Sequence, residues 1–308
     1  MKKIFLLVMA AAMLSACNKL NVPPVSIIQD PQVFTSVGGI QAYFAGLYNR
    51  IPIEDTKFSN GSGYNQFSFI DNINMFTGEG MNKNVTAWAN MNNVGMNVNG
   101  TTVNFYYDCY FDIRQANYFI ETMPKYASNF TQAQVNSWIG EAYFIRAFTY
   151  FELVKRYGGV PIILTVQNYP QQSLEQLQVP RNSEQEVYDQ IGADCDSSYN
   201  LMNPTSENRG RANKYIAAAL KSRAMLFAGS IAKYNQKNYN DPATNKRVEG
   251  IDASQAVRYF KASYAASLAV QAGGYALYRN TAATDKVGNY VNLFFDVSAA
   301  NKEVIWTK

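Results

Sequence analysis

One stretch constrains this 308-residue chain more than any other: Trp138-Ile139-Gly140-Glu141-Ala142-Tyr143-Phe144-Ile145-Arg146-Ala147-Phe148-Thr149-Tyr150-Phe151-Glu152-Leu153-Val154. It is apolar nearly all round a helical wheel, and a helix of that kind has no face to give to water. Thr131 is a candidate N-cap. Gly158-Gly159-Val160-Pro161 is a stop signal, because a glycine takes the left-handed C′ conformation and a proline forbids continuation. The glycine pair therefore reads as a C-cap, with a phosphate loop as the weaker alternative. A helix from Thr131 to Tyr157 belongs in the middle of a bundle, and Trp138 on it is assigned to core packing.

The neighbours that such a helix needs are visible along the chain. Ser36 to Arg50 carries one apolar stripe, Ile40, Tyr43, Phe44, Leu47 and Tyr48, with Ser36 as N-cap and Pro52 closing it. Phe105 to Met123 is aromatic-rich and stops before Pro124. Ser183 and Glu186 form a capping box that opens a helix running to about Leu201. Arg211 to Gly229 and Ser254 to Ala272 make the last pair, the first rich in alanine and the second ending at Gly273-Gly274. Small residues at turn spacing let two helices approach closely, the physical basis of tetratricopeptide-type hairpins, although the sequence repeat is degenerate. Residues 230–251 are too long and polar for a repeat turn and read as an excursion. No strand alternation competes. The expected fold class is all-α, with tetratricopeptide-like helical hairpins and long irregular loop insertions.

Histidine is absent. Its absence removes Ser-His-Asp and Cys-His triads, the zincin motif and every imidazole base. With no Cys-x-x-Cys either, a zinc site is not expected; no residue is assigned to a metal and no cofactor is implied. Of the 27 basic residues, Lys2 and Lys3 open a leader, which leaves 25 against 23 acidic ones, spread without clusters. Nucleic acid is a poor partner for that distribution.

The leader has a basic start, an apolar run from Ile4 to Leu14 too short to span a bilayer, and then Leu14-Ser15-Ala16-Cys17, which resembles a bacterial lipobox. Residues 1–16 read as a lipoprotein signal peptide and Cys17 as the acylated N-terminus. Residues 17–35 read as a tether, extended from Asn18 to Pro31, and 36–308 as the helical domain. Cys109 and Cys195 remain, as one disulfide or as two buried thiols.

The run Gly140 to Pro161 closely resembles the signature helix of the SusD/RagB family, outer-membrane lipoproteins of Bacteroidetes. Phe44-Ala45-Gly46-Leu47-Tyr48, Ile113-Arg114-Gln115-Ala116-Asn117, Val179-Pro180-Arg181, Gly274-Tyr275-Ala276-Leu277-Tyr278 and Asn301-Lys302-Glu303-Val304-Ile305-Trp306 fit the same pattern. Family members are considerably longer, so the domain reads as incomplete at its C-terminus. The resemblance implies a lipid-anchored protein exposed at the outer membrane. It implies capture of oligosaccharide or polysaccharide without catalysis, and delivery to a SusC-like TonB-dependent transporter.

Sugar recognition needs flat aromatic faces flanked by amide and guanidinium groups. Residues 60–104 hold twelve Asn and six Gly against three charged residues, with several aromatics among them. The family tends to place ligand-contacting rings and amides between its first two core helices, which is where Trp88 lies. Trp88 is the expected stacking platform and Asn90 its hydroxyl partner, with Tyr64 and Asn92 in support; the bland alternative is that these are turn and packing residues. Glu141 and Arg146 read as buried structural pairings, and Glu152 with Arg156 as a solvated i,i+4 ion pair. Two other functions compete: peptide capture, and a surface glycoside hydrolase using carboxylates such as Glu79, Asp108 and Asp112.

Overall fold

The computed structural model describes residues 30–51, 106–206, 210–279, 284–296, 298 and 301–306. The chain divides into two compact units, Met1–Tyr43 and Phe44–Lys308. In the first, helix α1 (Asp30–Phe34) precedes α2 (Val37–Arg50), which continues past the division. Pro31 sits in the first turn of α1, where a missing N–H leaves no bond unmade, so the tether expected to extend to Pro31 is already helical from Asp30. Ser36 caps α2 as its sequence suggested, its Oγ accepting from Gly39 N at 3.1 Å. Phe34 and Tyr43 meet ring to ring at 5.8 Å.

The second unit takes in the rest of α2, then α3 (Tyr106–Thr122), α4 (Gln132–Tyr157), the single turn α5 (Leu174–Leu177), α6 (Glu184–Leu201) and α7 (Lys214–Tyr234). A two-stranded ribbon, β1 (Tyr239–Asn240) and β2 (Arg247–Glu249), leads to α8 (Ala256–Ala272) and α9 (Lys286–Phe295). Pro124 does not end the helical path after α3. It enters a 3₁₀ helix, Met123–Asn129, near its start, where proline is tolerated.

The hairpins follow from which residues meet. Tyr106 at the start of α3 stacks edge-on against Tyr157 at the end of α4, at 5.3 Å. Gly140, early in α4, lies against Leu201 and Met202 at the far end of α6. Lys221 reaches Asp196 at 2.6 Å, and Met225 packs on Gly192, so α6 and α7 also run in opposite directions. Ser222 bonds Ser267 at 2.7 Å, and Phe260 lies flat on Gly229, which sets α7 against α8. Small residues at these crossings are what let the backbones close, as tetratricopeptide-type packing requires.

The α4 helix is buried on nearly every side, among neighbours α3, α6 and α7. Trp138, Phe144, Tyr150 and Phe151 are fully covered, each contributing roughly 1.5–3 kcal/mol of apolar burial. Its start carries a full capping box: Thr131 Oγ1 accepts from Gln134 N at 3.3 Å while Gln134 Oε1 accepts from Thr131 N at 3.0 Å. Its end is the glycine pair, with a difference in detail. Gly158 has φ 65° and ψ −139°, an extended glycine-only conformation and not the left-handed helical one. A side chain on Gly158 would collide with the Val248 carbonyl, and one on Gly159 with the Asn182 carbonyl. The pair is thus both a helix stop and the crossing point for β2 and the approach to α6.

The buried charges of α4 are each placed against a partner. Glu141 takes a bidentate grip from Arg211. Arg146 donates to both Asp194 oxygens, at 2.8 and 2.7 Å, and to Asn117 Oδ1 at 2.7 Å. Glu152 corrects the sequence reading: it is only 3% exposed, not solvated, and binds Lys155 at 2.7 Å and Arg156 at 2.8 Å. Cys109 and Cys195 are free buried thiols. The excursion is shorter than expected, because α7 begins at Lys214 under an Asn213 cap and runs through Gly229 to Tyr234. Among the described residues no helix is long and apolar enough to cross a membrane.

Candidate functional site

Helix α3 has two faces with different uses. Cys109, Asp112, Ile113, Ala116, Asn117 and Phe119 point into the bundle and are buried. Tyr107, Phe111 and Arg114, at i, i+4 and i+7, share the other face. Tyr107 is 81% exposed and Phe111 39%.

The chain leaving α4 lies beside that face as an extended strap, and α3 and α4 pin it in place. Tyr110 Oη donates to the Pro161 carbonyl at 2.7 Å, and Asn117 Nδ2 to the Ile163 carbonyl at 2.9 Å. Tyr150 Oη accepts from Ile163 N at 2.7 Å, and Glu121 Oε1 from Val166 N at 2.9 Å. Burial pushes the Tyr110 phenol up, so it remains a donor throughout the ordinary pH range.

Between helix and strap runs a groove of about 290 Å³, with Tyr107, Phe111 and Arg114 on one side and Thr165 and Gln167 on the other. The Phe111 ring is held from beneath. The Arg50 guanidinium lies 4.4 Å from its centroid, and Arg50 is fixed by Asp112 at 2.8 Å and Asp108 at 3.0 Å. This clasp gives the two carboxylates a structural role, since Asp112 is fully buried and both already share one cation. Among the described residues no carboxylate lines the groove. What it offers is ring surface, one guanidinium, one amide and the hydroxyls of Tyr107 and Thr165, a set suited to holding a polyhydroxylated ring.

Tyr64, Trp88, Asn90 and Asn92, the binding residues expected from the sequence, lie outside the described residues, as do Cys17 and Glu79. Trp138 is in the core as expected, its ring 4.9 Å from Phe130. Tyr107, Phe111 and Gln167 were not singled out in the sequence. The available signal was the i, i+4, i+7 spacing of two rings and an arginine, opposite the Cys109-Ile113-Ala116 stripe. It was masked because every face of this helix carries aromatic residues.

A family model described as "Starch-binding associating with outer membrane" (SusD-like) matches residues 39–226. The chain belongs to the SusD-like family. A protein of Formosa agariphila named SusD-like protein P2 is 26% identical over 230 residues, covering 71% of this chain and 42% of that protein. A SusD-like protein from Bacteroides fragilis NCTC 9343 superimposes with a TM-score of 0.57 at 22% identity, over 92% of this chain and 46% of the other. A SusD homologue from Bacteroides thetaiotaomicron VPI-5482 gives a TM-score of 0.52 at 16% identity, over 78% and 41%. This SusD-like chain thus spans less than half the length of these relatives. The motif Ile113-Arg114-Gln115-Ala116-Asn117 now has a structural reading: Arg114 borders the groove, while Asn117 ties the strap to Arg146.

Proposed function

We propose that this chain is a non-catalytic surface lipoprotein that captures oligosaccharide and delivers it to a SusC-like TonB-dependent transporter. The observation that carries the reading is the exposed Tyr107-Phe111-Arg114 face with Gln167 opposite, a surface suited to a pyranose and lacking, among the described residues, any acid to cleave one. The family's description as starch-binding at the outer membrane supports the same cargo and place. In this reading residues 1–16 are removed, Cys17 carries the lipid, and multiple acyl chains give durable attachment. Trp88 and Asn90, with Tyr64 and Asn92, belong to the segment that precedes α3 in sequence, and their ring-and-amide chemistry suits the same cargo. A hydrolase is disfavoured because Asp108 and Asp112 are committed to Arg50.

The test is calorimetric titration of a Cys17→Ser protein, which escapes lipidation, against neutral gluco-, xylo- and manno-oligosaccharides. At least one should bind, and Tyr107→Ala/Phe111→Ala and Trp88→Ala should each weaken it by about tenfold, the equivalent of about 1.4 kcal/mol. Unchanged affinity in both variants overturns the assignment of the site. Accumulation of shorter products during the titration overturns the non-catalytic reading.

A further inference from the structure

Away from the α3 groove, a cleft of about 410 Å³ opens between the start of α7, the turn after α8 and residues 301–306. That volume falls within the range of small-molecule sites, roughly 300–1,000 Å³. One wall is a pair of tyrosines whose placement depends on two glycines. Gly273 lies flat against the Tyr215 ring, where an added Cβ would come within 2.6 Å of a ring carbon. Gly274, at φ 83°, then turns the chain so that Tyr275 meets Tyr215 at 6.0 Å and 66°. Both rings remain half-exposed, and the Asn213 amide lies 3.5 Å from the Tyr275 hydroxyl.

Lys302, which is exposed, and Trp306, which is half-buried, also line the cleft. The backbone of Lys302 is fixed by Ala276 N, which donates to its carbonyl at 3.2 Å. Trp306 is anchored by its Nε1 donating to the Gly210 carbonyl at 3.0 Å and by the Phe144 and Phe148 rings. Lys302 is the one charged residue among the described lining, and it makes no ion pair among the described residues. The adjacent carboxylate, Glu303, is occupied by Tyr278 N at 2.7 Å.

We infer that this cleft is a second saccharide subsite, selective for a sugar ring bearing a carboxylate or sulfate group. The inference rests on the capture reading and adds a charge class to it. A neutral sugar would use the tyrosine wall and leave the ammonium without a counter-charge. A bare anion would use the ammonium and leave the rings unused. An anionic sugar ring satisfies both the rings and the ammonium, with the Tyr275 hydroxyl, which accepts from Asn213, able to donate to it.

Titration of the Cys17→Ser protein with trigalacturonate, a sulfated galactan tetrasaccharide, neutral maltotetraose and inorganic sulfate tests this. An anionic oligosaccharide should bind and weaken as NaCl rises. Its affinity should fall about tenfold or more in Lys302→Gln, the scale of one charge-assisted hydrogen bond, and fall again in Tyr275→Ala. Equal binding by Lys302→Gln overturns the subsite, as does inorganic sulfate binding as tightly as the sulfated sugar. Neutral sugar held at the α3 groove with no anionic binding removes this inference alone and leaves the capture reading standing.

Discussion

Arg146 illustrates how single residues hold this bundle. From its place on α4, its guanidinium reaches two further elements, through Asp194 on α6 and Asn117 on α3. Burial pushes the Asp194 carboxyl above its ordinary range despite the guanidinium beside it, so the aspartate depends on that partner to stay ionised. Arg146→Leu should therefore cost about 3–5 kcal/mol in urea unfolding, the penalty for leaving a buried charge uncompensated. Arg146→Leu/Asp194→Leu should recover much of that loss, and a double variant no more stable than the single would refute the coupling. The sequence shows that Glu141 and Arg146 need partners but not which ones, since Arg211 and Asp194 lie 70 and 48 positions away. Glu152 was misread for a related reason. An i,i+4 spacing specifies that two side chains can meet, and is silent on whether the turn they share faces water.

At the scale of elements, the caps are the most legible feature, because they depend on residues three positions apart. Ser183 Oγ accepts from Glu186 N at 3.2 Å, and Glu186 Oε2 accepts from Ser183 N at 2.7 Å, the box that the sequence specified. The structure adds Lys246, 2.9 Å from Glu186 Oε1, which joins the excursion to the head of α6. Partial burial opposes ionisation of Glu186, but the Ser183 amide and Lys246 outweigh it and hold its pKa at about 2. A lowered folded-state pKa stabilises above the unfolded value of about 4.3, and that contribution is lost as pH falls toward about 2. Wild type should thus melt above Glu186→Gln at about pH 6, and the gap should close between about pH 4 and 2. A gap independent of pH would mean that the glutamate acts only through its shape. The ribbon and α9 were not legible. Tyr239–Asn240 and Arg247–Glu249 are too short to show alternation, and α9 carries Gly288 and two asparagines, poor helix formers that lean on the Asp285 cap.

For the molecule as a whole, one helix did most of the specifying. A segment as apolar as α4 can only be enclosed, and enclosing it requires helices of the lengths found in α3, α6 and α7. The hairpin fold was therefore readable from periodicity, caps and small residues. The groove was not, because it arises where the strap after α4 is pinned along α3 by Tyr110, Asn117 and Tyr150, contacts between residues 13 to 51 positions apart. Function follows the same division: the scaffold by itself specifies none, and the proposed capture rests on what the surface displays. The most direct measurement is a crystal structure of the protein with a bound oligosaccharide. A pyranose lying on Tyr107 and Phe111, its hydroxyls reached by Arg114 or Gln167 and its glycosidic bonds intact, is the expected result. A sugar seated elsewhere with that groove empty, or a cleaved product, would contradict it.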